Sequence, residues 1–162
     1  MLKSEVIQAK ILQDEDLMRQ LAVWRFKDHK IVFTNGCFDI LHPGHIDYLM
    51  KAADLGNRII VGLNSDNSVR RLKGESRPLI GEKERALTLA SLSFVNAVVI
   101  FDEDTPYELI KSIQPDILVK GKDYEISDIA GHDIVLNNGG QVITLELLPG
   151  YSTTSLIEKL RT

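Results

Sequence analysis

The sequence predicts an α/β fold, a Rossmann-like, doubly wound sheet of five parallel strands with helices on both faces. Five apolar runs alternate with segments of helical periodicity, over 31–33, 58–63, 97–101, 117–119 and 141–147. Their continuous apolar character is typical of strands that are buried on both faces and pair in parallel through right-handed crossovers. Five strands are too few for an eight-stranded barrel, so we expect an open sheet. Ligands then bind at the carboxyl ends of the strands, where the strand order reverses.

The first 29 residues have helical periodicity from Ser4 to about Lys27, with a second helix start at Asp14 or Asp16. One face of this segment carries Leu17, Leu21 and Trp24. We expect residues 1–29 to pack on a single compact domain formed by 30–162, where they cover an edge of the sheet or contact a partner subunit.

The strands are separated by helices expected to start near Pro43, Asp66, Glu82, Thr105 and Ser127. Thr105 is a helix cap followed by Pro106 at the first helical position. Gly56 and the Gly139-Gly140 pair are expected helix stops. A last helix, with Leu156, Ile157 and Leu160 on its apolar face, follows the fifth strand.

Composition narrows the class of protein. A chain of 162 residues with 44% hydrophobic and 26% charged residues is ordinary for one globular domain with a sizeable core. The net charge of -4 argues against a nonspecific nucleic-acid binder. Cys37, the only cysteine, fits a reducing compartment. No apolar run approaches the roughly 18 residues of a membrane span, and no secretory pattern opens the chain. We expect a cytoplasmic protein with neither nucleic acid nor membrane as a partner.

The turn that follows the first strand is the first candidate site. Residues 34–45 read Thr-Asn-Gly-Cys-Phe-Asp-Ile-Leu-His-Pro-Gly-His and lead into a helix. Free amides and the positive end of the helix dipole stabilise an anion there. Gly36 and Gly44 allow the backbone to approach a ligand closely. His42 and His45 donate hydrogen bonds to phosphate oxygens and add positive charge if protonated.

Histidines have other roles in proteins, and these alternatives stay open. An isolated histidine such as His29 or His132 is more often structural. The shared strand, Gly, Asp and helix-start context favours a ligand-binding role for His42 and His45. A metal site is the competitor, because Cys37 and Asp39 would complete four ligands. No Cys-x-x-Cys or third spaced histidine supports it, so we predict no resident metal.

Cations gather after the second strand of this otherwise acidic protein, at Arg70, Arg71, Lys73 and Arg77. A charge run is usually a solvated helix face. Here Gly74 and Pro78 interrupt the helix, which favours a mobile basic loop over phosphates, with Lys73 and Arg77 as the best candidates.

Two later loops carry further candidates. Lys120 and Lys122 end the fourth strand within reach of a phosphate, while Asp123 can accept from a sugar hydroxyl or a base amino group. Exposure without a role is the alternative. Ser152 and Thr153 open the last helix either as a simple N-cap or as a second phosphate site.

These parts suit phosphoryl-type transfer. The chain has no Gly-x-Ser-x-Gly elbow, no Walker P-loop and no Gly-x-Gly-x-x-Gly fingerprint. In-line attack by a sugar phosphate on the α-phosphorus of a nucleoside triphosphate needs no protein nucleophile. It needs positioning and charge neutralisation, which histidines, cations, helix-terminal amides and Mg²⁺ supply.

The His-x-Gly-His signature behind Gly-x-Phe-Asp resembles that of the cytidylyltransferase-like nucleotidyltransferases. Further blocks extend the resemblance, over 71–74, 77–78, 104–106, 115–121, 123–124 and 152–154. Together they are similar to the adenylyltransferase that makes ADP-heptose, found in some bacteria as the second half of a bifunctional ADP-heptose synthase. The glycerol-phosphate cytidylyltransferases resemble Arg-Thr-Glu-Gly-Ile-Ser-Thr-Thr at the end of the chain, where this sequence has Leu147 in place of the Arg.

The resemblance implies transfer of AMP from ATP to a sugar 1-phosphate, D-glycero-β-D-manno-heptose 1-phosphate, with release of pyrophosphate. The product would be ADP-heptose for lipopolysaccharide core synthesis. Residues and resemblance together assign catalysis to His42, His45 and Lys73, and the substrate phosphate to Arg71 and Arg77. The expected nucleotide-binding residues are Asn35, Gly36, Cys37, Phe38, Asp39, Gly44, Lys120, Gly121, Asp123, Ser152, Thr153 and Thr154.

We also expect Mg²⁺ to accompany ATP, and the chain to form a homodimer. Spacing alone does not separate ATP from CTP. The alternatives are a glycerol-phosphate or ethanolamine-phosphate cytidylyltransferase, which the missing Arg weakens, and a noncatalytic nucleotide- or metal-binding module.

Overall fold

A computed structural model describes residues 2–161 of the chain. Its strands are β1 Ile31–Gly36, β2 Arg58–Asn64, β3 Ala97–Phe101, β4 Ile117–Gly121 and β5 Gln141–Leu145. Its α-helices are α1 Lys3–Gln8, α2 Asp14–Phe26, α3 Pro43–Ala53, α4 Asp66–Lys73, α5 Glu82–Ala90, α6 Tyr107–Ile113, α7 His132–Asn137 and α8 Thr153–Arg161. A 3₁₀ turn spans Ile126–Asp128. Within 2–161, none of these helices is long and apolar enough to cross a membrane.

The five strands form one parallel sheet in the order β3-β2-β1-β4-β5. The order reverses between β1 and β4, which pair only at Val32 with Ile117 and at Phe33 with Leu118. Their carboxyl ends are bridged instead by a side chain, since Lys120 Nζ donates to the Asn35 carbonyl at 3.4 Å. This confirms the predicted fold class and leaves a crevice where the strand order reverses.

Each face of the sheet is covered by its own set of helices. On one face α3 and α5 bury Leu49 and Leu89 against the strands. On the other, α2 and α6 bury Leu21, Trp24 and Ile110. Fully burying one such side chain contributes about 1.5 to 3 kcal/mol, so the two cores hold the strand ends in fixed register.

The N-terminal segment forms two helices, and the helical periodicity from Ser4 to Lys27 is interrupted over 9–13. There Ile11 forms a parallel bridge with Val98, and Leu12 N donates to the Val98 carbonyl at 2.9 Å. Pairing with the edge strand β3 satisfies backbone groups that a helix would have used. The second helix starts at Asp14 as predicted, and Leu17, Leu21 and Trp24 are buried. The division of the chain into a segment 1–29 that packs on one compact domain 30–162 stays a prediction.

Several element boundaries differ from the prediction, and β1, β2 and β4 extend to Gly36, Asn64 and Gly121. Strand β5 ends at Leu145, so 146–152 forms a loop. Helix α6 starts one residue later than predicted, because Pro106, with φ −79° and ψ 19°, is its N-cap. The helix predicted from Ser127 is only a 3₁₀ turn, and α7 begins at His132. Gly131 separates the two with φ 84°, and a Cβ there would lie 2.7 Å from Ile110.

Candidate active site

A cleft of about 690 Å³ opens at the carboxyl ends of β1 and β4. This volume lies within the roughly 300 to 1,000 Å³ of small-molecule sites. Every predicted site residue except Arg71 lines it. From β1 and its turn come Asn35, Gly36, Cys37, Phe38, Asp39, His42, Gly44 and His45; from the other elements come Lys73, Arg77, Lys120, Gly121, Asp123, Ser152, Thr153 and Thr154. The fold therefore brings together residues from four distant parts of the sequence.

The two histidines are held as a stacked pair. His42 is the N-cap of α3, and its Nδ1 accepts from the His45 amide at 3.3 Å. Accepting through Nδ1 leaves the proton of the neutral ring on Nε2, where it is available to a ligand. The ring centroids lie 3.8 Å apart at 20°, and Phe38 packs edge-on against His45 at 5.2 Å. The rings are thus oriented before any substrate arrives.

The charge state of these histidines follows from their surroundings. Burial and the neighbouring His42 lower the pKa of His45 to about 4. Burial also lowers the pKa of His42. Both rings are therefore neutral at pH 7, and of the two roles expected from the sequence, hydrogen-bond donation is the one that their environment favours.

Gly44 allows the start of α3 to pack closely against the loop that leads into α8. A Cβ at this position would lie 3.0 Å from the His42 ring and 3.0 Å from Tyr151 Cβ. The Tyr151 ring is parallel to that of His42, with centroids 6.2 Å apart. A side chain at position 44 would push these elements apart, so the close packing requires glycine.

Asp39 is buried and connects the loop over 77–80 to the turn that follows β1. Its carboxylate accepts from Arg77 Nε at 2.6 Å, Leu79 N at 2.9 Å and Ile80 N at 3.0 Å. Burial acts to raise the pKa of Asp39, but these hydrogen bonds outweigh it and hold the pKa below its usual value. The carboxylate therefore anchors the loop over 77–80 beside the cleft, and its oxygens are already occupied by donors.

Arg85 is a structural residue that the sequence analysis missed. Its buried guanidinium donates to the carbonyls of Ile80 at 2.9 Å, Cys37 at 2.6 Å and Asn64 at 2.8 Å, and to Asp66 Oδ1 at 2.7 Å. One side chain thus joins the β1 turn, the end of β2 and the basic loop. Its spacing of four from the buried Leu89 was the available signal for an inward-facing side chain.

The cations of the cleft differ in exposure. Lys120 lies between the ends of β1 and β4, 5.2 Å above the Tyr124 ring, and burial lowers its pKa to about 8. Lys73 is exposed at the end of α4 and has no hydrogen bond or ion pair within 2–161. Arg71 lies outside the cleft lining, where its Nε donates to Asp104 Oδ1 at 2.8 Å. Lys73 is therefore available to an anion, and Lys120, which donates only to the Asn35 carbonyl, has further donors for one.

Two further polar features belong to the cleft. Asn35 lines it, and the buried Oδ1 atom of this residue has no hydrogen-bond partner within the described residues. Ser152 Oγ accepts from Ser155 N at 3.0 Å, so Ser152 caps α8. Thr153 and Thr154 bring the first turn of α8, with its positive dipole end, to the cleft.

The donor set does not resemble a metal centre. Within 2–161, no group of three or more His, Cys, Asp or Glu side chains is placed to hold a metal ion. Asp39, which the sequence alternative needed as a ligand, already accepts hydrogen bonds from three donors. The arrangement instead offers neutral donors, two lysines and helix-terminal amides, which together suit a polyphosphate.

A cleft of this kind at the reversal point of a Rossmann-like sheet, with paired imidazoles at a helix start, defines a nucleotidyltransferase. Comparison with known proteins agrees. The family described as cytidylyltransferase-like matches residues 33–159. The chain therefore belongs to the cytidylyltransferase-like family.

Individual relatives extend this likeness. The bifunctional protein HldE of Koribacter versatilis is 53% identical over 95% of this chain, and that of Wolinella succinogenes is 51% identical over 95%. The chain spans about a third of their length, 32% in both cases. A lipopolysaccharide core biosynthesis protein from Thermoplasma volcanium has a similar structure, with a TM-score of 0.61 and 26% identity, covering 74% of this chain and 97% of the other.

Proposed function

We propose that the protein transfers AMP from ATP to D-glycero-β-D-manno-heptose 1-phosphate and releases pyrophosphate, giving ADP-heptose for lipopolysaccharide core synthesis. The observation that carries the proposal is the stacked pair of His42 and His45 in one cleft with Lys73 and Lys120. The identity of the sugar substrate is proposed from the sequence blocks that resemble ADP-heptose synthase. Similarity to HldE proteins and to a lipopolysaccharide core biosynthesis protein supports it.

The reaction needs positioning more than covalent chemistry. A phosphate oxygen of the sugar phosphate attacks the α-phosphorus of ATP, a new P–O bond forms, and the bond to the pyrophosphate oxygen breaks. His42 and His45 donate to the α-phosphate oxygens as negative charge builds there. Lys73 and Lys120 neutralise the leaving pyrophosphate. Removing one such donor typically lowers the rate by about 100-fold to 1,000-fold.

A divalent cation is expected to arrive with the triphosphate, and we propose Mg²⁺. This ion prefers oxygen ligands and keeps several waters, so phosphate oxygens and water can supply most of its shell. That suits a cleft without a preformed metal centre. Three exposed carboxylates line the cleft, Asp104, Asp123 and Asp128, and Asp123 is the one that we propose adds a ligand. When bound, the ion neutralises phosphate charge.

The test is pyrophosphate release measured over a matrix of ATP and CTP with heptose 1-phosphate, glycerol 3-phosphate and ethanolamine phosphate. We expect the highest kcat/KM with ATP and heptose 1-phosphate. A preference for CTP with glycerol 3-phosphate would instead support the cytidylyltransferase alternative. A stoichiometric transition metal in the purified protein, with no pyrophosphate released, would support a noncatalytic module.

The remaining expectations are also proposals. A homodimer predicts a mass of twice 18.2 kDa by light scattering. A cytoplasmic location predicts recovery in the soluble cell fraction.

A further inference from the structure

The cleft has a second wall that the proposed chemistry does not use. It is formed by 104–106, ahead of α6, and by 128–130, ahead of α7. The two segments are tied together, because Tyr107 Oη donates to Asp133 Oδ2 at 3.0 Å and Gly131 packs directly on Ile110. Ile129 and Ile110 belong to the same buried core. We call this surface, residues 104–106 and 128–130, the acidic wall.

Charge is divided unequally between the walls of the cleft. The cationic side carries Lys73, Arg77 and Lys120, together with Asp123 and with Asp39, which is paired with Arg77. The acidic wall contains no cation. The acidic wall instead presents Asp104 and Asp128. Carboxylates repel phosphates, so the phosphates of both substrates belong on the cationic side. The acidic wall therefore suits an uncharged group that donates hydrogen bonds, such as a polyol.

The nucleoside also has uncharged parts, but a different surface suits the base. Leu147, Leu148 and Tyr151 line the cleft. Tyr151 lies against the start of α3, which packs on the opposite face of the sheet from Ile129. Leu147, Leu148 and Tyr151 remain 53%, 36% and 45% exposed, which leaves apolar area for a planar base to cover. The acidic wall is thus left for the sugar of the acceptor.

Arg71, which the cleft does not reach, acquires a role in this arrangement. Its Nε holds Asp104 Oδ1 at 2.8 Å, and its Nη2 donates to the Asp102 carbonyl. The guanidinium thereby fixes the Asp104 carboxylate and occupies only one of its oxygens. Oδ2 has no hydrogen-bond partner within 2–161 and can accept from a hydroxyl.

We propose that the sugar of the acceptor lies against the acidic wall, with its hydroxyls donating to Asp104 and Asp128, and that Arg71 is a positioning residue for Asp104. This inference rests on the proposed sugar-phosphate acceptor and adds where, and by which groups, its sugar is recognised. It predicts selection for acceptors that carry several hydroxyls beyond the phosphate.

The first experiment separates the two substrates. Asp104→Ala and Asp128→Ala should each raise KM for heptose 1-phosphate by about 10-fold or more, because a hydrogen bond to a charged group is lost. KM for ATP should stay within about twofold. Glu125→Gln is the matched control, since Glu125 is exposed on the same loop but does not line the cleft. It should leave both constants unchanged.

The second experiment tests whether Arg71 acts through Asp104. Arg71→Ala should raise KM for the sugar phosphate, and Arg71→Lys should restore part of the loss. The double variant Arg71→Ala, Asp104→Ala should be no worse than Asp104→Ala alone, since an interaction that is already missing cannot be lost twice. Melting temperatures equal to that of the wild type would show that the variants are folded and that the changes in KM come from the site.

The outcomes are distinguishable. If the wild type uses heptose 1-phosphate but Asp104→Ala leaves its KM unchanged, the acidic wall does not bind the sugar and the inference is wrong while the function stands. An equal rise in KM for ATP would place the nucleoside there instead. If the wild type uses no sugar 1-phosphate at all, the proposed function fails and this inference fails with it.

Discussion

The imidazole rings of His42 and His45 lie face to face, with centroids 3.8 Å apart, because the His45 amide donates to the Nδ1 atom of His42. Two like side chains at this distance cannot both carry charge without strong repulsion. The pair is thus built to donate hydrogen bonds as neutral rings.

Replacing either ring tests the centre of the mechanism. His42→Ala and His45→Ala should each lower kcat by about 100-fold or more with a smaller change in KM, because their contacts strengthen as charge develops. The Asn variants should keep more activity than the Ala variants, because the Asn side-chain amide is an uncharged hydrogen-bond donor. The double variant should be less impaired than the product of the single losses. Steady-state kinetics on folded variants would contradict the role if kcat stayed at the wild-type value.

The buried ring also makes stability depend on pH. Burial lowers the pKa of His45 from 6.5 to about 4, so the unfolded chain binds more protons than the folded protein between these values. The contribution is fully present above pH 6.5 and is lost as pH falls towards about 4. Urea unfolding at pH 7, 6 and 5 should show declining stability, and His45→Asn should decline less steeply. An identical slope in the variant would be inconsistent with this assignment.

Lys73 offers a charge that folding does not need. Lys73→Ala should reduce turnover by about 10-fold or more, because a charge that neutralises the leaving pyrophosphate is lost. The melting temperature should stay unchanged, because Lys73 is exposed and unpaired within 2–161. Lys83→Ala, an exposed lysine on α5 outside the cleft, is the matched control and should affect neither. Equal activity of the two variants would remove Lys73 from the catalytic set.

Lys120 should determine how kcat/KM for ATP falls at alkaline pH. Burial lowers its pKa to about 8, compared with 10.5 for an ordinary lysine, and kcat/KM reports groups of the free enzyme. We expect kcat/KM for ATP to fall as pH rises through about 8. Lys120→Arg keeps its charge over this range, so its profile should be flat there. A limb that persists in the variant would belong to another group.

The guanidinium of Arg85 should contribute to stability as well as to the site. Arg85→Met leaves the carbonyls of Cys37, Asn64 and Ile80 without their donor, so we expect a loss of about 3 kcal/mol or more in the free energy of unfolding. Arg19→Met removes an exposed guanidinium, 73% accessible, and should change stability by less than about 0.5 kcal/mol. Denaturant titration compares the two directly.

Apolar runs and strand–helix alternation predict the fold because parallel strands buried on both faces have few alternatives. The same reasoning placed His42, Lys73, Lys120 and Thr153 at one edge of the sheet, since the carboxyl ends of the strands meet there. Periodicity and strand order do not predict contacts between individual residues. The ion pair of Arg77 with Asp39, the inward turn of Arg85 and the bridge at Ile11 depend on tertiary packing that periodicity does not record.

The bridge between Ile11 and Val98 has a consequence for the behaviour of the protein in concentrated solution. An outermost strand offers unpaired amides and carbonyls to any other extended chain, and this is a common route to self-association. Here the amide and the carbonyl of Val98 are already bonded to Lys10 and Leu12 of the same molecule. Removing the first helices would uncover that strand together with the apolar floor beneath Leu17 and Trp24, so a shortened protein should precipitate more readily than the intact one.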